Sequence, residues 1–248
     1  MKNYIPRKDL LAGRIVLVTG AGAGIGRAAA LGFAAHGASL ILLGRTAVKL
    51  ETVYDAIEAS GAPKPALIPL DLATAGPDAC DQVARVIEQE FGRLDGLLHN
   101  AAELGTLTPL EHYNDATWDR VMQVNVRAAF LLTRACLPLL KKSADASVIF
   151  TSADVGRQGR AYWGAYGASC HAIEGMMEIL ADELAANTNV RVNSIDPGPV
   201  RTGMRARAYP GENPAHLPRP EDILAAYLYL MGPDSRGVTG QALAAQPR

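Results

Sequence analysis

A doubly wound α/β fold, with about seven parallel strands and helices on both faces, is what this sequence predicts from three observations. Short apolar runs alternate with helical segments from Arg14 almost to the C-terminus. Those runs, such as Arg14-Ile-Val-Leu-Val-Thr19 and Ser39-Leu-Ile-Leu-Leu43, lack polar alternation, which marks strands covered on both sides. A glycine-rich turn, Gly20-Ala-Gly-Ala-Gly-Ile-Gly26, joins the first run to the first helix. Such alternation closes by right-handed crossovers and leaves ligand sites at the carboxyl ends of the strands.

The 248 residues are 49% hydrophobic, 20% charged and 6% aromatic, which suits one large domain spanning 1–248. The first helix covers Arg27 to His36 by alanine content and stops at Gly37. After the second strand comes a helix from Thr46 to Ser60 with Thr46 as N-cap. A third strand runs from Ala66 to Leu70, and Pro69 assigns it to a sheet edge, because proline cannot donate to a ladder. Helix 77–91 ends at Gly92, and a fourth strand follows at Asp95 to His99. From Ala116 to Leu140 apolar residues at Val121, Val124, Ala128, Leu131, Leu132 and Ala135 keep the 3.6 period of one long packed helix. The fifth strand, Ser147 to Thr151, leads into a helix carrying Ile173, Met177, Leu180 and Leu184, and a sixth strand runs from Val190 to Ile195. Four prolines and two glycines then break any period between Arg201 and Pro220, a length expected of a substrate lid. Pro220-Glu-Asp opens the last helix, Gly232-Pro233 closes it, and Gln241 to Ala244 forms a seventh, edge strand.

A formal net charge of −1 leaves no basic face for nucleic acid or an anionic membrane. Cys80, Cys136 and Cys170 have no paired spacing, so neither disulfides nor a metal site is expected. The N-terminus has no signal-like apolar core, and no run reaches the ~20 apolar residues that span a bilayer. A cytoplasmic protein is expected.

The glycine turn carries chemistry. Small residues let the backbone approach a pyrophosphate, whose charge is met by free N–H groups and the positive end of a helix dipole. A dinucleotide site requires this turn after a buried strand and before a helix, which is its setting here. At the end of the second strand, an NAD-preferring site places an acid against the ribose 2′-hydroxyl. This chain has Leu43-Gly44-Arg45, and a guanidinium grips a 2′-phosphate bidentately. NADP(H) is therefore the expected cofactor.

The pattern Thr19-Gly20-x-x-x-Gly24-x-Gly26, with His99-Asn100-Ala101-Ala102, Asn125, Tyr166 and Asp196-Pro197-Gly198, resembles the short-chain dehydrogenase/reductase family from about Arg14 to Ala244. Val155-Gly-Arg-Gln-Gly-Arg-Ala161 and Arg201-Thr-Gly-Met-Arg-Ala206 are similar, more narrowly, to its YciK-type bacterial oxidoreductases. The resemblance implies a Rossmann-type fold in which Gly20, Gly24, Ile25 and Gly26 meet the pyrophosphate. It places Asp71 and Leu72 beside the adenine, Asn100 and Ala101 beside the adjoining ribose, and Pro197, Gly198, Val200 and Thr202 beside the nicotinamide. It makes Tyr166 the general acid/base toward a small carbonyl or alcohol substrate and Asn125 the anchor of a water-linked proton path. A homodimer or homotetramer is also implied.

Two positions depart from that pattern. Cys170 stands where the family has a lysine four residues after the tyrosine, and a thiol offers no ammonium to lower a phenol pKa from ~10. The family's serine, thirteen residues before the tyrosine, is Ala153 here. Ser152 is one residue further away and points to the other face of a regular strand, so it serves only where the strand bulges or turns. Cys170 itself is expected to be a small packed thiol. The leading reading is hydride transfer between NADP(H) and a carbonyl or alcohol, weakened at these two positions. A catalytically quiet NADP(H)-binding sensor or scaffold is the alternative, and introduced or strain-specific substitutions in an active enzyme are a third.

Overall fold

The computed structural model describes residues 4–247. Its strands are β1 Ile15–Thr19, β2 Ser39–Gly44, β3 Ala66–Pro69, β4 Gly96–His99, β5 Ala146–Thr151, β6 Val190–Asp196 and β7 Ala242–Ala244. They pair in parallel in the order β3-β2-β1-β4-β5-β6-β7, so the proline-bearing strand and the short last strand are the two edges. Winding reverses between β1 and β4, which opens a crevice above their carboxyl ends.

Successive strand residues serve opposite cores, which explains the unbroken apolar runs. Val16, Val18, Leu40 and Leu42 pack with Phe33 of α1 (Gly24–Ala35), Leu50, Val53 and Ile57 of α2 (Ala47–Ala59) and Tyr227 of α8 (Leu224–Met231). Leu17, Ile41, Leu97 and Val148 face the other way, against Val83 and Ile87 of α3 (Pro77–Phe91), Leu131 and Leu132 of α5 (Ala128–Leu140) and Met177 of α6 (Gly164–Ala185).

The amino ends of the strands are tied by charge. Asp145, just before β5, pairs with Arg14 at 3.2 Å, Arg191 at 3.1 Å and Arg236 at 3.4 Å. Asp95, before β4, accepts from the Ile15 backbone at 2.9 Å and from Ser143 at 2.6 Å. This network lies at the end of the sheet opposite the crevice and holds four strands in register.

Several local expectations are revised. Helix α1 begins at Gly24, inside the glycine turn, so its first free N–H groups belong to the glycine motif itself. Thr46 occupies the N-cap position of α2, but its side chain makes no capping bond. The long helix expected over 116–140 is α4 (Asp115–Met122), a π-helical turn at Gln123–Arg127, then α5. The apolar positions Val121, Val124, Ala128, Leu131 and Leu132 keep α-helical spacings across the turn, so periodicity did not register it. The last helix is preceded by a 3₁₀ turn at Pro220–Ile223. The 201–220 segment is ordered: Thr202 accepts from the Arg205 backbone at 3.2 Å to cap α7 (Gly203–Ala208), and the Arg201 amide donates to the Pro218 carbonyl at 2.9 Å.

Candidate active site

A cleft of ≈ 1610 Å³ occupies the crevice and runs from the glycine turn to the start of α6. At its nucleotide end Gly20 and Gly24 take φ of +67° and +53°, which glycine adopts without a Cβ clash. Gly26 is a different case: a Cβ there would overlap the Gly20 carbonyl and crowd the Asn100 amide. The turn is braced from below by Thr19, whose Oγ1 accepts from the Asn100 amide at 2.9 Å and the Ala101 amide at 3.1 Å. Gly20, Gly24, Ile25, Arg45, Asp71, Leu72, Asn100, Ala101, Pro197, Gly198, Val200 and Thr202 all line the cleft. Gly26 does not; it is the packing residue that lets the turn close. The 201–220 segment reaches the turn, because a Cβ on Gly24 would meet the Thr202 methyl at 3.5 Å.

At the other end, Tyr166 lies in the first turn of α6 and lines the same cleft with Ala153, Trp163 and Asp196. Burial lifts its phenol well above the ordinary value, and the neighbouring Cys170, Asp196 and Tyr227 lift it further. Cys170, one helical turn on, is itself buried, and its thiol is pushed up to about 12, chiefly by burial. Two neutral acids therefore face each other where a phenol needs a cation to ionise.

A model of the short chain dehydrogenase family matches residues 14–213. The chain belongs to the short-chain dehydrogenase family. It is 52% identical to the oxidoreductase YciK of Escherichia coli K12 over 245 residues, 99% of this chain and 96% of that one. A short chain dehydrogenase from Pseudomonas syringae superposes with a TM-score of 0.97 at 59% identity, covering 98% of this chain and 99% of its own. A short chain dehydrogenase from Escherichia coli CFT073, solved in complex with NADPH, superposes with a TM-score of 0.95 at 52% identity, covering 98% and 100%.

In this short-chain dehydrogenase the two remaining predicted residues differ: Asn125 falls behind the cleft, and Ser152 lines it. Asn125 sits at the π turn, nearly buried; its Oδ1 accepts from the Glu103 amide at 2.8 Å, and its Nδ2 donates to the Glu103 carbonyl at 3.0 Å and to Ser169 Oγ at 2.9 Å. It therefore ties the loop after β4 to α6. A cavity of ≈ 30 Å³ between Asn125, Ser169, Cys170 and Tyr166 adjoins this link. The Ser152 amide donates to the Ile195 carbonyl at 2.8 Å and Ala153 is extended (φ −157°), so the ladder continues without a bulge. Ser152 lines the cleft, yet its Oγ is buried without a hydrogen-bond partner, and a Cβ on Gly156 would lie 3.0 Å from it. In this conformation the Ser152 hydroxyl sits against Gly156, and Ala153 presents only a methyl to the cleft.

Sequence reasoning did not single out Glu103. It lines the cleft and carries two arginines: Arg120 of α4 holds both carboxylate oxygens, at 2.7 and 2.8 Å, and Arg45 reaches one at 3.2 Å. An acid three residues after Asn100 was the available signal, but nothing in its neighbours' periodicity marks it. Among the described residues no group of three or more His, Cys, Asp or Glu side chains is placed to hold a metal. Among them, too, no helix is long and apolar enough to cross a membrane.

Proposed function

We propose that this dehydrogenase uses NADP(H) to interconvert a carbonyl and an alcohol, with Tyr166 carrying the proton, and that Ala153 and Cys170 make the reaction slow. The observation that supports it is that Tyr166 opens onto the same cleft as the glycine turn and Arg45. The residues fit the cofactor: positive-φ glycines, the free N–H groups opening α1 and a guanidinium at the end of β2 are what a 2′-phosphorylated dinucleotide needs. The NADPH complex of a relative agrees with that choice.

When bound, the nicotinamide supplies or accepts the hydride. The phenol of Tyr166 donates a hydrogen bond to the substrate oxygen and delivers its proton as charge develops there. A phenol held protonated is suited to carbonyl reduction and poorly suited to alcohol oxidation, which needs the phenolate. Ala153 contributes no second hydrogen bond, so the oxygen is polarised from one side only. Trp163, Arg157 and Arg160 from the loop before α6, with α7 from the lid segment, shape the substrate end.

A sensor or scaffold is the second reading, and the neutral Tyr166–Cys170 pair beside an intact nucleotide end favours it. The two separate by measuring NADPH binding and NADPH oxidation over a carbonyl panel for this chain, Cys170→Lys, and Cys170→Lys with Ala153→Ser. Turnover that is weak in the first and rises in the others supports the enzyme. Binding with no turnover in all three supports the sensor.

A further inference from the structure

We infer that Glu103 is a specificity-determining residue: it competes with the cofactor's 2′-phosphate for Arg45, and Arg120 sets how strongly it competes. The inference rests on the reading of Arg45 as the 2′-phosphate ligand.

Arg45 and Glu103 come from different strand ends and meet across the nucleotide end of the cleft, both lining it. To grip a phosphate bidentately, Arg45 must release or share its contact with Glu103 Oε1. The Glu103 backbone is held in place, its amide and carbonyl both bonded to the Asn125 side chain, so its carboxylate moves only by side-chain rotation, which the two Arg120 bonds oppose. Release is nevertheless easy. Arg120 already engages both oxygens of Glu103, so the carboxylate stays paired when Arg45 departs. The Arg45 contact is the longest of the three, and its side chain is 62% exposed. A dinucleotide without the 2′-phosphate offers Arg45 nothing in exchange, so the competition acts on one cofactor only.

Arg120 does not line the cleft, yet it has a defined effect on the nucleotide. Without it, Glu103 has Arg45 as its remaining cationic partner, that pair tightens, and the phosphate must compete harder. Exposed ion pairs shift equilibria by up to about fivefold, which bounds each change.

The test is the dissociation constant of NADPH and of NADH for the full chain and for E103Q, R120Q, the E103Q/R120Q double variant and R45A, with unfolding midpoints confirming that each folds. E103Q is expected to tighten NADPH about threefold to fivefold and leave NADH within about twofold. R120Q is expected to weaken NADPH about threefold and to have no effect once Glu103 is Gln. NADPH binding unchanged or weakened in E103Q overturns the proposal, as does an R120Q loss that persists in the double variant, which would mark a long-range charge effect. R45A separates the two levels. If it leaves the NADPH/NADH ratio unchanged, the Arg45 reading itself falls; if it removes the preference while E103Q does nothing, only the role of Glu103 falls.

Discussion

The two ends of the cleft are built from different materials. The nucleotide end is mostly backbone: φ values at Gly20 and Gly24, the close contact behind Gly26, and amides fixed by Thr19. Those features are enforced by the fold, since a side chain at Gly26 would drive β1 and α1 apart. The catalytic end depends on a few side-chain atoms on one helix and one strand end. Cys170 and Ala153 occupy their positions without disturbing either element, and α6 and β5 keep their buried faces. On the proposed reading, binding geometry is coupled to stability, whereas proton chemistry at the same cleft rests on side chains whose exchange leaves the fold in place.

The comparison breaks most readily at its catalytic side. Restoring Lys at 170 and Ser at 153 together should raise the rate of carbonyl reduction roughly 10²–10⁴-fold, the range of acid–base assistance. Nucleotide affinity should change much less. Steady-state kinetics with NADPH check this, and Tyr166→Phe in the restored background should remove the gain. A restored chain no faster than the original would place the defect elsewhere in the cleft.

On the nucleotide side, Arg45→Asp removes a cation and adds an acid where the 2′-phosphate is proposed to bind. Hydrogen bonds to charged groups are worth ~1.5–3 kcal/mol, so NADPH affinity should fall by about tenfold to a hundredfold. NADH affinity should hold within a few-fold, as measured by direct titration. Equal losses would mean that Arg45 serves the loop rather than the phosphate.

Proton chemistry also sets a pH signature. Burial and the Cys170 thiol raise the pKa of Tyr166, so its phenolate is scarce throughout the neutral range and grows with pH. Alcohol oxidation, which needs the phenolate, should therefore climb about tenfold per pH unit with no plateau below pH ~10. Cys170→Lys should bring the plateau down, because an ammonium stabilises the phenolate. A plateau near neutrality in the unaltered chain would show that another group takes the proton.

Much of this was legible in the sequence, for physical reasons that also explain the gaps. The sheet, its edges at Pro69 and Gln241–Ala244, and the two-faced burial follow from apolar runs and proline, which are local signals. The π turn at Gln123–Arg127 did not show, because Val121, Val124, Ala128, Leu131 and Leu132 keep spacings of three, four and one across it, as an unbroken α-helix also would. Glu103 did not show because its meaning depends on Arg45 and Arg120, which come from separate elements and converge only in three dimensions. The motif spacing that marks Gly26 for a pyrophosphate turn does not reveal that a Cβ there would also overlap the Gly20 carbonyl and the Asn100 side chain, a packing constraint that exists only in three dimensions.

The smallest expected effect is also the sharpest test of the catalytic end. Ser152 Oγ is buried and unpartnered, and a buried hydroxyl left without a hydrogen bond costs about 1–3 kcal/mol. Ser152→Ala removes that burden while leaving the backbone bond to Ile195 in place. Its unfolding midpoint should stay level or rise, and carbonyl reduction should stay within about twofold. A hundredfold loss of turnover at unchanged stability would show instead that the end of β5 turns when substrate binds and brings this hydroxyl to the carbonyl. The shift from Ala153 to Ser152 would then be a relocation of the hydroxyl, and only Cys170 would separate this chain from a complete catalytic set.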